Sequence, residues 1–315
     1  MASEISFHLP FQTPVHPRPL QAGQSILSMG SCFADALGQQ MERLGMPVLI
    51  NPFGITFDAF SIDRQLGYLT GDPLPMDVFQ HLDLWRHFDC HGSLSHRDRP
   101  AYEEALKRQL TVGREAYSQA RMLVLTFGTS FFFRKDEREV ANCHKLPAQT
   151  FARKQAGPKE LYERISRRVL GFIEQDQDRE VLLSVSPIRH IRDGLVENNR
   201  SKARLIELCH SLCEVHERIR YFPSYEWLID VWRDHRFYAE DMLHPSLQSI
   251  EAIFAEFVES HCSEELKVCI ADVQAHRKLT DHRILSPGSE EAIQLQQKIA
   301  ERRQELLSKY PFLRI

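Results

Sequence analysis

One short stretch of the chain combines residue types that suit nucleophilic catalysis. Residues 25–38 read SILSMGSCFADALG, in which an apolar run leads through Gly30, Ser31 and Cys32 into a helix-like segment. A serine at such a corner projects its hydroxyl above the sheet edge, facing the free N–H groups of the first helical turn. Those donors and the positive end of the helix suit an oxyanion. The pattern predicts either a serine nucleophile or, more simply, a helix N-cap.

A serine hydroxyl becomes a useful nucleophile only beside a base. The stretch FYAEDMLHPS, residues 237–246, places Asp241 three residues before His244 and directly before a predicted helix. In such a turn the carboxylate accepts from one imidazole nitrogen and the other nitrogen faces outward. One such pair can arise by chance in a chain with 15 histidines. Its position between the last strand and the last core helix favours a functional pair.

Three alternatives use neighbouring residues. Cys32 could replace Ser31 as a thiol nucleophile if the thiol points outward and the hydroxyl inward. Histidines and cysteines could form a metal site, although they lack regular ligand spacing; they are His81, His87, Cys90, His91, His96, Cys143 and His144. We interpret them instead as a polar lid that shapes a pocket, and predict no metal and no cofactor. Arginines near the same edge could clamp a carboxylate or phosphate, or pair with nearby acids; they are Arg189, Arg192, Arg200, Arg233 and Arg236.

Alternating strands and helices position these residues. Short apolar runs predict strands at 26–29, 48–50, 121–128, 181–187 and 220–223. Segments with helical spacing lie between them, as in Phe33, Leu37, Met41 and Leu44. This order predicts a three-layer α/β/α sandwich around a mainly parallel sheet of about five strands. Ligands bind such sheets outside the carboxyl ends of the strands. Polar residues follow those ends: Ser31, Asn51, Gly54, Gly128, Thr129, Ser130, Ser186 and His190.

Composition limits the classes of partner. The 315 residues are 43% hydrophobic and 26% charged, with a formal net charge of -4. This balance gives no electrostatic case for binding nucleic acid or an anionic membrane. No run approaches the roughly 20 apolar residues of a membrane span, and the start of the chain does not resemble a signal peptide. Seven scattered cysteines without a C-x-x-C pair favour a reducing cytoplasm.

The chain divides into three predicted parts. Residues 1–21 are rich in proline and predict an extended arm, and residues 22–261 form the main domain. Within that domain, about 70–118 predict an insertion or lid. Residues 262–315 predict a charged helical extension that could pack on the body or support a homo-oligomer.

The motifs together carry a family resemblance. MGSCFADALG is followed in order by NPFGI, TFGTS, NCHKLPA, SVSPIRHIRDGL, SKA, YFPSYE and RDHRFYAEDMLHPS. In this order and spacing the chain resembles the GSCFA domain family, which is grouped with the SGNH, or GDSL-like, hydrolases. The resemblance runs from about residue 22 to 260 and implies a flavodoxin-like SGNH hydrolase fold.

The resemblance also implies roles for individual residues. Ser31 would be the nucleophile, and Asp241 and His244 would complete a triad. The backbone N–H groups of Ser31 and Gly54 would form an oxyanion hole. The superfamily has an asparagine two residues after the glycine of its third block, whereas Gly128 is followed here by Thr129 and Ser130. Asn142 is therefore our candidate for the third donor.

The predicted function is a serine-dependent ester hydrolase or acyltransferase. Its substrate would be a short-chain, above all acetyl, ester of a carbohydrate or small molecule. Expected substrate-binding residues are Asn51, His91, Gly128, Thr129, Ser130 and His190. The alternative is a ligand-binding module that keeps the fold and has weak or no catalysis, which the altered third block favours.

Overall fold

Five parallel strands form the central sheet of the protein, in the order β2-β1-β5-β9-β10. The computed structural model describes residues 9–281 and 288–315. The strands are β1 (Ile26–Gly30), β2 (Val48–Ile50), β5 (Met122–Phe127), β9 (Glu180–Val185) and β10 (Ile219–Phe222). Each of them lies within a few residues of a predicted strand. The predicted α/β class with a parallel, five-stranded sheet is confirmed.

Side chains of the central strands alternate between two apolar cores. In β5, Leu123, Leu125 and Phe127 face one core, whereas Met122 and Val124 face the other. This alternation follows from the two-residue period of a strand. Because both faces are covered, the strands read in the sequence as continuous apolar runs.

Helices cover the sheet on both faces. One layer comprises α2 (Ala59–Leu69), α3 (Arg99–Gln119), α4 (Pro158–Ile173) and α5 (Gly194–Val215). The other comprises α1 (Cys32–Arg43), α7 (Leu247–His261), α8 (Glu264–Thr280) and α9 (Glu290–Lys309). Helix α3 lies in the segment predicted as an insertion or lid, but it buries Tyr102, Leu106 and Tyr117 against the sheet. That half of the segment is a core element. None of the helices in these described ranges has the length and apolarity needed to cross a membrane.

Smaller elements surround the carboxyl edge of the sheet, and the sequence did not predict them. Strands β3 (Phe79–His81) and β4 (Leu84–Arg86) form a hairpin. Strands β6 (Phe131–Lys135), β7 (Arg138–Val140) and β8 (Ala152–Gln155) form an antiparallel sheet in the order β7-β6-β8. The turn between β6 and β7 places Asp136 and Glu137 at positive φ. Such two-residue turns usually contain Asn-Gly or Asp-Gly, so the usual signal was missing. A short helix, α6 (Ser224–Glu226), continues as a π-helical turn at Trp227–Trp232.

The two ends of the chain pack on the main body. In the described part of the arm, the N–H of Leu20 donates to the carbonyl of His261 at 2.8 Å. In the C-terminal segment, Ile270 of α8 and Leu306 of α9 are buried in the core that also contains Phe33 of α1. Residues 1–8 of the predicted arm and 282–287 of the predicted extension lie outside the described residues. The possible homo-oligomer stays a prediction.

Gly30 is required by close backbone packing where β1 ends. Its φ is +147°, and a Cβ built on it would lie 2.2 Å from the carbonyl oxygen of Thr126. That oxygen belongs to the neighbouring strand β5 and cannot move without breaking the parallel ladder. Only glycine therefore fits at position 30, the last residue of β1 before Ser31.

We expect Gly30→Ala to destabilise the fold by roughly 3 kcal/mol or more, because it combines backbone overlap with an unfavourable φ. Gly171→Ala is the matched control, since nothing lies within 4 Å of a Cβ at this position in α4. It should stabilise the helix by about 1 kcal/mol. Urea unfolding of both variants measures the difference. Equal stabilities for the two would refute the contact.

Candidate active site

Ser31 lies at the corner between β1 and α1, where the sequence predicted it. It is the N-cap residue of α1, with φ -67° and ψ 174°, but its side chain makes no capping hydrogen bond. The residue is 0% exposed, and its Oγ has no hydrogen-bond partner among the described residues. Buried polar atoms are normally paired, and exceptions call for an explanation such as catalysis or an ordered water. Ser31 thus occupies the predicted N-cap position, but its hydroxyl does not cap the helix.

Asn51 fixes the backbone of this corner. Its Oδ1 accepts from the N–H of Gly30 at 2.8 Å, and its Nδ2 donates to Asp35 Oδ1 at 3.2 Å. Its φ is +43°, a left-handed conformation that asparagine tolerates better than most residues. Both ends of the amide are engaged in the protein, so Asn51 acts here as a tie between β1, β2 and α1. The substrate contact predicted for Asn51 stays a prediction.

The two backbone donors predicted for an oxyanion hole are used elsewhere. The N–H of Ser31 donates to the Thr126 carbonyl at 3.2 Å, and the N–H of Gly54 donates to the Asn51 carbonyl at 2.7 Å. The parallel ladder explains the first bond and a tight turn the second. This arrangement corrects the expectation that both groups point freely into the site. The N–H groups of Cys32 and Phe33 also lie at this corner, in the first turn of α1, where helix N–H groups have no acceptor within the helix.

Asn142, the third predicted donor, lies on the loop after β7. Its backbone N–H donates to the Phe88 carbonyl at 2.9 Å. Its side-chain Nδ2 is buried, with no partner in the described part of the chain. Asn142 therefore keeps an unused N–H group, and its role as an oxyanion donor stays a prediction.

The third block forms a closed network of hydroxyl groups. The backbone N–H of Ser130 donates to Ser201 Oγ at 2.7 Å, and the two serine hydroxyls are 3.0 Å apart. Thr129 Oγ1 lies 3.1 Å from the same Ser201 Oγ. The N–H groups of Gly128 and Thr129 donate to the Phe57 carbonyl at 2.9 and 3.0 Å. These contacts join β5 to α5, and the substrate contacts predicted for Gly128, Thr129 and Ser130 stay a prediction.

Lys202 is the functional candidate that sequence reasoning missed. Its Nζ donates to the carbonyls of Gly128 and Ser186, both at 2.6 Å, and so joins the ends of β5 and β9. The residue is 1% exposed, and no carboxylate within the described ranges pairs with it. Burial lowers its pKa to about 7 from the usual 10.5. Helical spacing in the sequence could have indicated its burial, because Lys202 lies on the same face of α5 as Leu205 and Cys209, which are both buried.

Asp241 and His244 form the predicted pair. His244 Nδ1 lies 2.6 Å from Asp241 Oδ2, and Asp241 Oδ1 accepts from the N–H groups of Leu243 and His244. These backbone bonds, followed by the imidazole bond, lower the pKa of Asp241 to about 2. The carboxylate is thus ionised throughout the physiological range. It can orient the imidazole and stabilise an imidazolium.

His190 and His91 line the same edge of the sheet in different states. His190 Nε2 is buried and has no partner in the described chain. Burial, followed by the charge of Lys202, lowers the pKa of His190 to about 3, so it is neutral. His91 Nδ1 accepts from the Ser93 N–H at 3.2 Å, and burial lowers its pKa. A Cβ built on Gly54 would lie 2.4 Å from the Cβ of His91. His91 therefore packs directly against the turn at Gly54.

The structure bears on two alternatives, a thiol nucleophile at Cys32 and a metal site. Cys32 is partly exposed whereas Ser31 is buried, which is the orientation that the thiol alternative requires. Burial is nevertheless the largest effect on Cys32 and raises its pKa, against the opposing effect of the Cys32 and Phe33 N–H groups. Within residues 9–281 and 288–315, no group of three or more His, Cys, Asp or Glu side chains could hold a metal.

Ser31 and His244 lie at the same end of the sheet but do not touch in this conformation. The loop carrying His244 joins the loop after β9 through the N–H of Arg189, which donates to the Leu243 carbonyl at 3.4 Å. The charge of His244 also acts on His190. No hydrogen bond between Ser31 Oγ and His244 is present in the chain as described. The triad therefore stays a prediction.

Comparison with known proteins identifies the family. The profile of the GSCFA family matches residues 25–257; this range contains the corner at Ser31 and the Asp241–His244 loop, and the chain belongs to this family. No curated protein matches the sequence.

A distant likeness to a solved structure also exists. That structure is a family two carbohydrate esterase from Clostridium thermocellum in complex with cellohexaose. The TM-score is 0.36 at 12% identity, over 76% of this chain and 65% of that chain. This chain thus spans less than two thirds of the esterase, and a likeness at this score does not bear on function.

The first prediction for this site concerns the hydroxyl of Ser31. We expect Ser31→Ala to leave the free energy of unfolding within about 0.5 kcal/mol of wild type or to raise it, since no hydrogen bond is lost. Ser263→Ala is the control, because the Ser263 hydroxyl caps the Leu266 N–H of α8. It should cost about 1 kcal/mol. Chemical denaturation compares them, and a larger loss for Ser31→Ala would show a structural role.

A second prediction concerns the buried ammonium of Lys202. Between pH 7 and 10 the unfolded chain keeps the Lys202 proton, whereas the folded chain releases it, because the folded pKa is about 7. Folded stability therefore gains from rising pH in this window. We expect the stability of wild type relative to Lys202→Met to increase from pH 7 to pH 10, as measured by urea unfolding. A constant difference would show that Lys202 titrates alike in both states.

Proposed function

We propose that this GSCFA protein is a serine-dependent ester hydrolase or acyltransferase with Ser31 as its nucleophile. The observation that carries the proposal is the Ser31 hydroxyl, which lies where β1 ends, makes no capping bond and has no hydrogen-bond partner among the described residues. A buried hydroxyl without a partner lowers stability and needs a compensating role. The hydrogen-bonded Asp241–His244 pair at the same end of the sheet supplies a base of suitable type.

The proposed reaction has two steps. Ser31 Oγ attacks the acyl carbonyl while its proton passes to Nε2 of His244, whose Nδ1 is held by Asp241. The tetrahedral intermediate then releases the alcohol, which takes the proton from His244. In the second step, water or an acceptor hydroxyl gives its proton to His244 and attacks the acyl-serine ester. Ser31 then recovers its proton, and the acyl group leaves as an acid or a new ester.

This reaction requires a motion that brings the two residues together. Ser31 is 0% exposed, whereas the His244 side chain is 48% exposed. We propose that the loop at 238–246 closes toward Ser31 when substrate binds and Ser31 becomes accessible. Catalytic hydrogen bonds are often long in empty sites and tighten in the substrate complex.

Charge at the corner supports an anionic transition state. The N–H groups of Cys32 and Phe33 lie at the positive end of α1, and Lys202 Nζ donates to carbonyls at the ends of the neighbouring strands. We propose that these groups, with Asn142, replace the donors that the ladder and the turn occupy. Removing one oxyanion donor typically costs ~10²–10³ in rate.

The proposal extends to the substrate class and the cellular location. A short acyl group, above all acetyl, on a carbohydrate or small molecule follows from the resemblance to SGNH hydrolases. All seven cysteines are free thiols, which supports our proposal of a reducing, cytoplasmic setting.

The test is labelling with a fluorophosphonate probe, together with hydrolysis of p-nitrophenyl acetate. We expect wild type to label and to turn over substrate, and Ser31→Ala to do neither. His244→Ala should lose roughly 10²–10⁴-fold in rate, because the base is removed. Cys32→Ala is the matched control at the adjacent position and should keep both activities.

The other outcomes separate the alternatives. Labelling that survives Ser31→Ala but disappears in Cys32→Ala would establish a thiol enzyme. Absence of labelling and of turnover in the folded wild type would favour the ligand-binding module. That alternative is supported by the occupied N–H groups of Ser31 and Gly54.

A further inference from the structure

A pocket of about 280 Å³ opens at the carboxyl edge of the sheet, between the loop after β9 and the antiparallel sheet β7-β6-β8. It borders the corner between β2 and α2 and the end of β5. Three of the side chains around it are arginines. Its lining includes Phe131, Phe133, Arg153, Arg189, His190 and Arg192.

The pocket carries positive charge that the described protein does not neutralise. Arg153 pairs with Asp193, but Arg189 and Arg192 form no ion pair with any acid in the described ranges. The remaining acid on the pocket wall is Asp58, whose carboxylate accepts from the N–H and hydroxyl of Ser61. Pairing with nearby acids, which was one prediction for these arginines, is therefore absent at Arg189 and Arg192.

Aromatic rings hold the guanidinium groups in place. Arg153 lies over Phe131 and Phe133, at 4.8 and 5.0 Å from the ring centroids. Arg192 also lies over Phe133, at 5.1 Å, and Arg189 lies over Tyr238 at 5.0 Å. Stacking on a ring face leaves the N–H edges of a guanidinium free for a planar acceptor. These arginines are thus oriented before any ligand arrives.

The pocket adjoins the candidate catalytic residues. His190, on its wall, has a buried and unpaired Nε2 that would lie 3.2 Å from a Cβ at Gly128. Arg189 bonds through its N–H to the carbonyl of Leu243, the residue before His244. A group bound to Arg189 and Arg192 would therefore lie beside the loop that carries the proposed base.

We infer that Arg189, Arg192 and Arg153 form a binding site for an oxyanion, a carboxylate or a phosphate, carried by the substrate. Arginine forks bind both groups through paired N–H bonds. The unpaired Nε2 of His190 supplies one further polar contact at the pocket wall. The role of this anion as a handle of the ester substrate rests on the proposed function, but anion binding itself does not.

Binding is measured first, without any reaction. Isothermal titration of wild type with inorganic phosphate and, separately, with benzoate distinguishes the two anions. Arg189→Gln and Arg192→Gln should each weaken the preferred anion by about 10-fold or more, since a charged hydrogen bond contributes ~1.5–3 kcal/mol. Arg192→Lys should restore part of it. Arg200→Gln is the control, because Arg200 is exposed and pairs with Glu197 on α5.

Turnover is measured with a matched pair of acetyl esters, 4-acetoxybenzoate and its neutral methyl ester. Wild type should prefer the anionic ester in kcat/KM, and Arg192→Gln should lose that preference mainly through a higher KM for the anionic ester. Anion binding without turnover would refute the proposed esterase activity but would support the anion site. Turnover with no anion binding up to roughly 10 mM, or binding unchanged in Arg189→Gln and Arg192→Gln, would overturn the site alone.

Discussion

The geometry of the site depends on the close contact between the ends of β1 and β5. Gly30 approaches the Thr126 carbonyl so closely that no side chain fits, and the N–H of Ser31 donates to the same carbonyl. The chain must then enter α1 immediately. This constraint positions Ser31 at the corner with its hydroxyl buried, and it also commits the N–H group that the superfamily pattern would leave free.

Polar groups at this edge fall into two sets. One set is fully paired and joins the elements: the Asn51 amide ties the corner, and Ser201 joins the third block to α5. The other set is buried and has no hydrogen-bond partner within the described residues, and it includes Ser31 Oγ, Asn142 Nδ2 and His190 Nε2. The first set gives rigidity. The second set lowers stability, as is common for groups that meet a ligand or a transition state.

Several positive groups at this edge have no acidic partner among the described residues. The α1 N-terminus, Arg189 and Arg192 are positive, and burial, followed by the charge of Lys202, lowers the pKa of His190 and keeps it neutral. A site of this kind favours negative charge, whether it belongs to a bound anion or develops on a carbonyl oxygen. The proposed esterase and the proposed anion site therefore use the same electrostatic property of the fold.

The sequence alone determined the layers, the parallel sheet and the edge at which polar residues meet. Apolar runs and helical spacing fixed these features because burial of both sheet faces leaves a clear pattern, and the Asp241–His244 pair is three residues apart in the chain. Tertiary structure alone decided that the Ser31 and Gly54 N–H groups are occupied, that Lys202 is buried between two strand ends, and that Arg189 and Arg192 have no acidic partner in the part of the chain that is described. These outcomes depend on which distant backbone carbonyls and carboxylates come within about 3 Å. Local spacing carries no information on such contacts.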